Sequence, residues 1–274
     1  MKLSIGYLYP DLFNLYGDRG NVQCLLKRLQ WRGIGAEIIP ILCGDKIPFS
    51  DLDVICWGGG PDRGQEIISG YLRAFRQDFR AYVEDGGVVL AVCAAFQLLG
   101  RTYTTRERTV EGLGVLDICT QWQPGRLVGN IVVESPYFRS PIVGFENHAG
   151  RTEIGTYSPL GKVVFGQGNT GKGDYEGIVY KNVIGTYLHG PLLPKNPEVC
   201  DGLLERALKR KYGDLVSLSE LADTSEQRAN RYMVERCKAA GEKNETTCFR
   251  GFLQGRFRRR KTEKDRLDEG QREI

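Results

Sequence analysis

The sequence predicts an α/β fold: a central, mostly parallel sheet with helices on both faces and added antiparallel strands. Three observations carry that expectation. Short apolar runs alternate with segments of helical periodicity through residues 1–100. Several of those runs end in glycine or in one chemically active side chain. From about Tyr103 to Tyr187 the pattern changes to short strands separated by Gly, Pro and Asn.

In chain order, Leu3–Leu8 reads as the first strand. Asn21–Trp31 reads as a helix, because Val22, Leu25, Leu26 and Leu29 share a face, and Gly33 closes it. Ala36–Ile41 is a second strand, Asp53–Trp57 a third that ends in a glycine triplet, Glu66–Glu84 a helix and Val88–Val92 a further strand. This βαβ rhythm implies a parallel sheet covered on both sides. Gly114–Ile118, Asn130–Glu134, Val163–Phe165, Gly177–Tyr180 and Val183–Leu188 read as the short strands of the second half, which either extend the same sheet or add an antiparallel layer. Glu198–Lys211 reads as a helix with a basic end, favourable at the negative pole of its dipole.

Composition bounds the class. The 274 residues, 41% hydrophobic and 26% charged, suffice for one large core or two smaller ones. No window approaches the roughly 18 apolar residues of a membrane helix, and the chain opens on a strand pattern instead of a basic segment followed by an apolar one, so a cytoplasmic protein is expected. Cysteines 24, 43, 56, 93, 119, 200, 237 and 248 form no C-x-x-C pair and read mostly as reduced small hydrophobes. Two histidines and no Cys/His cluster speak against a metal site.

The formal charge of +4 is uneven: residues 223–274 hold 14 Lys+Arg against 10 Asp+Glu, and the remainder is balanced. The expected organisation is a domain over 1–221 and a polar, basic tail over 222–274, helical in part or disordered. Its run Arg256–Lys261 reads as a solvated face or loose end, with RNA or anionic lipid as the competing ligands. No nucleic-acid binding is expected from the domain itself.

The chemistry concentrates at two strand ends. Val88–Val92 delivers Cys93 directly into a helix, which puts the sulfur at the carboxyl edge of the sheet, beside a helix N-terminus that favours thiolate. This is the cysteine form of a nucleophile elbow, and the Ala94 amide would point toward an oxyanion beside the sulfur. A buried structural thiol competes with that reading. Val183–Leu188 delivers His189 in the same manner, and an imidazole within reach of Cys93 could take its proton and return one to a leaving amine. Gly58–Gly60 follows the third strand and suits a second oxyanion donor, or simply a tight turn. Gly166–Gly173 matches most of a P-loop, but Gly173 stands where Ser or Thr belongs and a turn and strand follow in place of a helix, so it reads as a hairpin loop.

The chain resembles class I glutamine amidotransferases of the CobB/CobQ-like branch, and within it the glutaminase subunits of lipid II isoglutaminyl synthases. The resemblance runs from Met1 to about Leu221. It rests on Tyr7–Asn21 (YLYPDLFNLYGDRGN), Trp57–Asp62 (WGGGPD), the Cys93 elbow, Gly144–Thr152 (GFENHAGRT) and Tyr187–Pro191 (YLHGP). It implies a flavodoxin-like glutaminase fold in which Cys93 attacks the side-chain amide of L-glutamine, His189 acts as acid and base, and ammonia leaves a thioester that water resolves. It further implies Gly59 or Gly60 with Ala94 as oxyanion donors, and Arg126 as the group holding the substrate carboxylate.

Two departures stand out. The family elbow usually reads Cys-Gly-Gly, and here Cys93 is followed by Ala94 and Ala95, so either the backbone keeps negative φ there or turnover suffers. Many class I members carry a Glu two residues after the histidine, and here Pro191 holds that position, which favours a Cys/His dyad; Glu146 is the candidate for any third member.

The chain opens on the glutaminase strand and offers no credible P-loop, so ATP and magnesium are expected on a partner. The resemblance implies a Mur ligase-like (MurT-type) subunit, in a heterodimer, that activates D-glutamate of the lipid II stem peptide for conversion to D-isoglutamine in peptidoglycan synthesis. The alternatives are a glutaminase for another acceptor such as a cobyrinate-type substrate, a free-standing cysteine amidase or peptidase, and an inactive regulatory subunit.

Overall fold

The computed structural model describes residues 1–241. The first half runs β1 (Lys2–Leu8), α1 (Arg19–Trp31), β2 (Gly35–Ile41), β3 (Val54–Trp57), α2 (Asp62–Glu84), β4 (Val88–Val92) and the short α3 (Ala94–Leu99). Then follow β5 (Thr102–Thr104), β6 (Thr109–Glu111), β7 (Cys119–Glu134), β8 (Ile142–Glu153), β9 (Gly161–Phe165), β10 (Tyr175–Glu176), β11 (Ile178–Tyr180), β12 (Val183–Thr186), α4 (Leu192–Lys195) and α5 (Pro197–Tyr212).

The strands form two sheets. In the first, with order β11-β12-β4-β3-β1-β2, all pairings are parallel except β11 with β12. Alternation along its strands divides the core. Ile55 and Trp57 join Ile68, Leu72 and Phe79 of α2 on one face, and Val54 and Cys56 join Leu25 and Leu29 of α1 and Leu203 and Leu204 of α5 on the other. Every residue of β4 is buried, as expected of a strand covered on both faces.

The second sheet runs β10-β9-β7-β5-β6, with β8 paired to β7. It does not extend the first sheet but stands as a separate layer, joined to it by an isolated bridge between Phe145 and His189. Sequence reading finds only the last five residues of β7 and none of β8. The reason is chemical: β8 alternates buried and half-buried positions, but the buried ones beyond Phe145 are Glu146, His148, Gly150 and Thr152. Hydrogen bonds, not apolar contacts, satisfy that face, so the hydrophobic period is missing.

Gly114–Ile118 is no strand. Gly114 sits at φ +63, and the segment is clipped beneath α3 by Leu113 N–H to Leu98 O at 2.7 Å and Leu116 N–H to Leu99 O at 3.0 Å. Its buried Leu113, Val115, Leu116 and Ile118 therefore fill the core from irregular backbone.

Residues Met1–Val234 form one compact unit. Within it, Arg28 is fully buried and grips both Asp201 of α5 (2.6 Å) and Asp223 (2.7 Å). Residues 224–241 are helical; the expected tail beyond them, with its basic run Arg256–Lys261, lies outside the described residues. Among the described residues no helix is long and apolar enough to cross a membrane.

Candidate active site

Parallel registration sets the site. Trp57 pairs with Ala91 and Thr186 with Val92, so Gly58–Gly60, Cys93 and the Tyr187–His189 segment leave the sheet side by side at its carboxyl edge. The loop after β1 joins them: Tyr9 and Phe13 pack against Trp57 at centroid distances of 5.7 and 5.9 Å, which anchors the segment carrying Tyr16 and Asp18.

Cys93 sits at φ 53, ψ −102, outside the ordinary regions for an L-residue. Such a conformation costs about 1–3 kcal/mol and persists only where neighbours hold it. Here its N–H donates to Thr186 O at 2.7 Å and its carbonyl accepts from Gln97 N–H at 3.0 Å. Ala94 and Ala95 keep negative φ inside α3 and are fully buried, so the extra methyl groups fit the core. Positive φ falls on the cysteine and spares the alanines.

His189 is fully buried, with its ring 4.8 Å from that of Tyr16. Burial disfavours its charged form, but the nearby Cys93 and Asp18 outweigh burial and push the imidazole up to about 10. Gly59 marks the point of convergence. A Cβ added there would lie 2.7 Å from His189 Cε1 and 3.4 Å from Cys93 Cβ, so only glycine lets the loop approach both so closely.

Asp18, which sequence reading leaves without a role, lies at the back of the site. Its Oδ2 accepts the Gly59 N–H at 2.6 Å and its Oδ1 is 3.8 Å from His189 Nδ1. The Gly59 amide is therefore engaged by Asp18 in this structure, which speaks against its expected use as an oxyanion donor. The one hint in the sequence is that Asp18 falls between strand and helix in a Gly-Asp-Arg-Gly run, where an acidic residue reads first as a helix cap.

Arg126 lies on the rim. It donates to the Asn147 side chain at 2.8 Å and to the Asn147 carbonyl at 3.0 Å, and Asn147 Nδ2 donates to Tyr16 Oη. A polar chain thus links Arg126 to the ring that covers His189.

Glu146 is not a member of the site. Its oxygens accept the N–H groups of Gln167 and Gly168 at 2.8 and 2.9 Å, and it faces His148 Nε2 at 3.8 Å. Those two amides belong to the P-loop-like glycine segment. Gly166, Gly168, Gly171 and Gly173 all take positive φ, and the segment links β9 to its antiparallel partner β10. A buried carboxylate of the same chain occupies the amides that could have faced a phosphate.

The sequence model of the CobB/CobQ-like glutamine amidotransferase domain matches residues 4–197. The chain belongs to this family. It is 42% identical over 238 residues to subunit GatD of the glutamine-hydrolysing lipid II isoglutaminyl synthase of Staphylococcus aureus (strain N315), covering 86% of this chain and 96% of that one. The subunit of the same name from Streptococcus pneumoniae (strain ATCC BAA-255 / R6) is 38% identical over 242 residues, 87% and 93% of the two chains. Cobyric acid synthase of Brucella canis is 29% identical over 161 residues, 56% of this chain but only 32% of that enzyme. The crystal structure of a glutamine amidotransferase from Thermotoga maritima shares the fold at a TM-score of 0.50 and 14% identity, over 84% of this chain and 93% of that one.

In this CobB/CobQ-like amidotransferase the cysteine at the strand end takes positive φ and is followed by two helical alanines. The chain also has Pro191 two residues beyond the histidine, and the carboxylate that faces the imidazole comes from the loop after β1.

Proposed function

We propose that this amidotransferase hydrolyses L-glutamine with Cys93 as nucleophile and His189 as acid and base, and passes the ammonia to a Mur ligase-like synthetase subunit. The observation that carries the reading is the convergence of Cys93 and His189 beside Gly59, where one added Cβ would meet both. Cys93 Sγ gives its proton to the imidazole and attacks the side-chain amide carbon. The tetrahedral oxyanion meets the amides of Ala94 and Gly60. As the C–N bond breaks, the imidazolium protonates the departing nitrogen, ammonia leaves, and a glutamyl thioester remains. His189 then draws a proton from water, hydroxide adds to the thioester, and glutamate departs as the thiol regains its proton.

Arg126, on the rim, binds the substrate α-carboxylate through its guanidinium. Relatives named as subunits of lipid II isoglutaminyl synthase support a role as one subunit of such an enzyme, here read as a cytoplasmic heterodimer. In it, the MurT-type partner uses ATP and magnesium to activate D-glutamate of the stem peptide, and ammonia converts it to D-isoglutamine.

The test is ammonia release from L-glutamine by the purified chain, alone and with its candidate ligase subunit, ATP and lipid II. Amidated product should form only with both chains, and Cys93→Ala should abolish glutamine-dependent product while free ammonium still supports it. Wild-type ammonia release by Cys93→Ala would overturn the mechanism.

A further inference from the structure

Asp18 stands immediately before α1, the place of a helix-capping residue, yet its side chain does not cap that helix. Asn14 takes over part of the task, its Oδ1 accepting the Arg19 N–H at 2.9 Å. The Asp18 carboxylate turns inward instead, with Oδ2 on the Gly59 amide at 2.6 Å and Oδ1 opposite His189 Nδ1 at 3.8 Å. Asp18 is 2% exposed and His189 0%. Neither Oδ1 nor Nδ1 has a hydrogen-bond partner among the described residues. A buried carboxylate oxygen needs a donor and a buried ring N–H needs an acceptor. These two face each other across a gap that a small ring movement closes.

We propose that Asp18 is the positioning residue of the Cys93–His189 pair. It holds the tautomer with the proton on Nδ1, so that Nε2 is presented to Cys93, and it stabilises the imidazolium that forms when the thiol proton moves. The inference rests on the glutaminase reading above and adds a third group to it. Proton movement is confined to three atoms: Cys93 Sγ loses its proton to His189 Nε2, Nε2 loses it to the departing amide nitrogen, and Asp18 stays a carboxylate throughout.

The other carboxylate in this neighbourhood is excluded, since Glu146 holds the amides of Gln167 and Gly168. Besides Asp18, the titratable groups facing His189 are Cys93 and Tyr16. Around Asp18 stand Tyr7 and Cys56, whose ionisation it opposes after burial, and Arg19 lies near Tyr7.

Asp18→Asn separates positioning from scaffolding, because its amide oxygen can still accept the Gly59 N–H while the charge opposite Nδ1 is gone. The expected result is a kcat for glutamine hydrolysis lower by about 100-fold or more, with KM within about threefold, an unchanged melting temperature and partial recovery in Asp18→Glu. The second measurement uses Cys93→Ala, in which the thiolate no longer acts on the ring. The chain has only two histidines, so nitrogen-detected NMR titration resolves His189, assigned by His189→Gln.

In Cys93→Ala the His189 midpoint should stay above its ordinary value of 6.5, and adding Asp18→Asn should lower it by at least one pH unit. A midpoint below 6.5 in Cys93→Ala, where burial alone would put it, overturns the inference even if every Asp18 variant fails to fold. So does a folded Asp18→Asn that turns over at the wild-type rate. If Cys93→Ala is inactive in either case, the glutaminase reading survives and only the role of Asp18 falls; an active Cys93→Ala removes both.

Discussion

His189 and Phe145 exchange backbone hydrogen bonds, His189 N–H to Phe145 O at 2.8 Å and Phe145 N–H to His189 O at 3.2 Å. Through this rung the second sheet fixes the strand end that the first sheet delivers. The imidazole therefore takes its position from both sheets, while Cys93 takes its own from β4 and from Thr186. A site whose members answer to different layers holds its geometry only if the layers keep their spacing, and the glycines between them set that spacing.

Gly59→Ala tests the spacing directly. Its Cβ would stand 2.7 Å from His189 Cε1, and the ring is fully buried. Overpacking of this kind costs about 1–3 kcal/mol. The larger effect should be on turnover, since a displacement of about 1 Å in a reacting group can cost about 100-fold. Denaturant unfolding beside ammonia-release kinetics would show whether activity falls much further than stability.

Introducing Cys-Gly-Gly at the elbow should not help. Ala94 and Ala95 are helical, buried and at negative φ, so glycine there adds chain entropy to the unfolded state and removes packing. Each change should destabilise by about 0.5–1 kcal/mol, or more where the lost methyl leaves a void. Ammonia release by the Ala94→Gly, Ala95→Gly double variant should stay within about threefold of wild type. A large rise in kcat would mean that the alanines restrain the elbow.

Cys93 and His189 are legible in the sequence because each ends an apolar strand, and in a parallel sheet such ends share an edge. The helices α1, α2 and α5 are legible through an apolar face at helical spacing. Polar burial hides the rest. The inward side of β8 is Glu146, His148, Gly150 and Thr152, and Thr152 bonds Tyr187 Oη, itself stacked on His148 at 3.7 Å. A strand buried by hydrogen bonding leaves no hydrophobic period to find. Asp18 is missed differently: its position before α1 suggests a cap, and only tertiary structure turns its carboxylate toward Gly59 and His189.

Glu146→Gln separates the structural carboxylate from the functional one. One of the two amide bonds from Gln167 and Gly168 would meet an NH2 group in a buried site, at a cost of about 1–3 kcal/mol. Glutamine turnover by the folded variant should remain within about threefold of wild type. A hundredfold loss of kcat at unchanged stability would return Glu146 to the list of groups acting on the imidazole.

Glu176 should write a pH signature into stability. Its Oε1 accepts from Thr186 Oγ1 and Tyr187 N–H at 2.8 and 2.6 Å, while Oε2 has no partner among the described residues. Burial pushes it up to about 7 from an ordinary 4.5, against the opposing hydrogen bonds from Tyr187 and Thr186 and with the nearby Glu146 adding to the rise. Between those two values the unfolded chain has released the proton and the folded chain has kept it. Stability therefore falls as pH rises through this window, by roughly 3 kcal/mol in all, and levels off above it. Glu176→Gln keeps the acceptor oxygen and cannot ionise, so its stability should lack this slope. Urea unfolding of both proteins from pH 4.5 to 8 gives the difference curve. A variant that gains on the wild type by a few kcal/mol across the window places the proton on Glu176, whereas two parallel curves would show the carboxylate ionised in the fold, held by Thr186 and Tyr187.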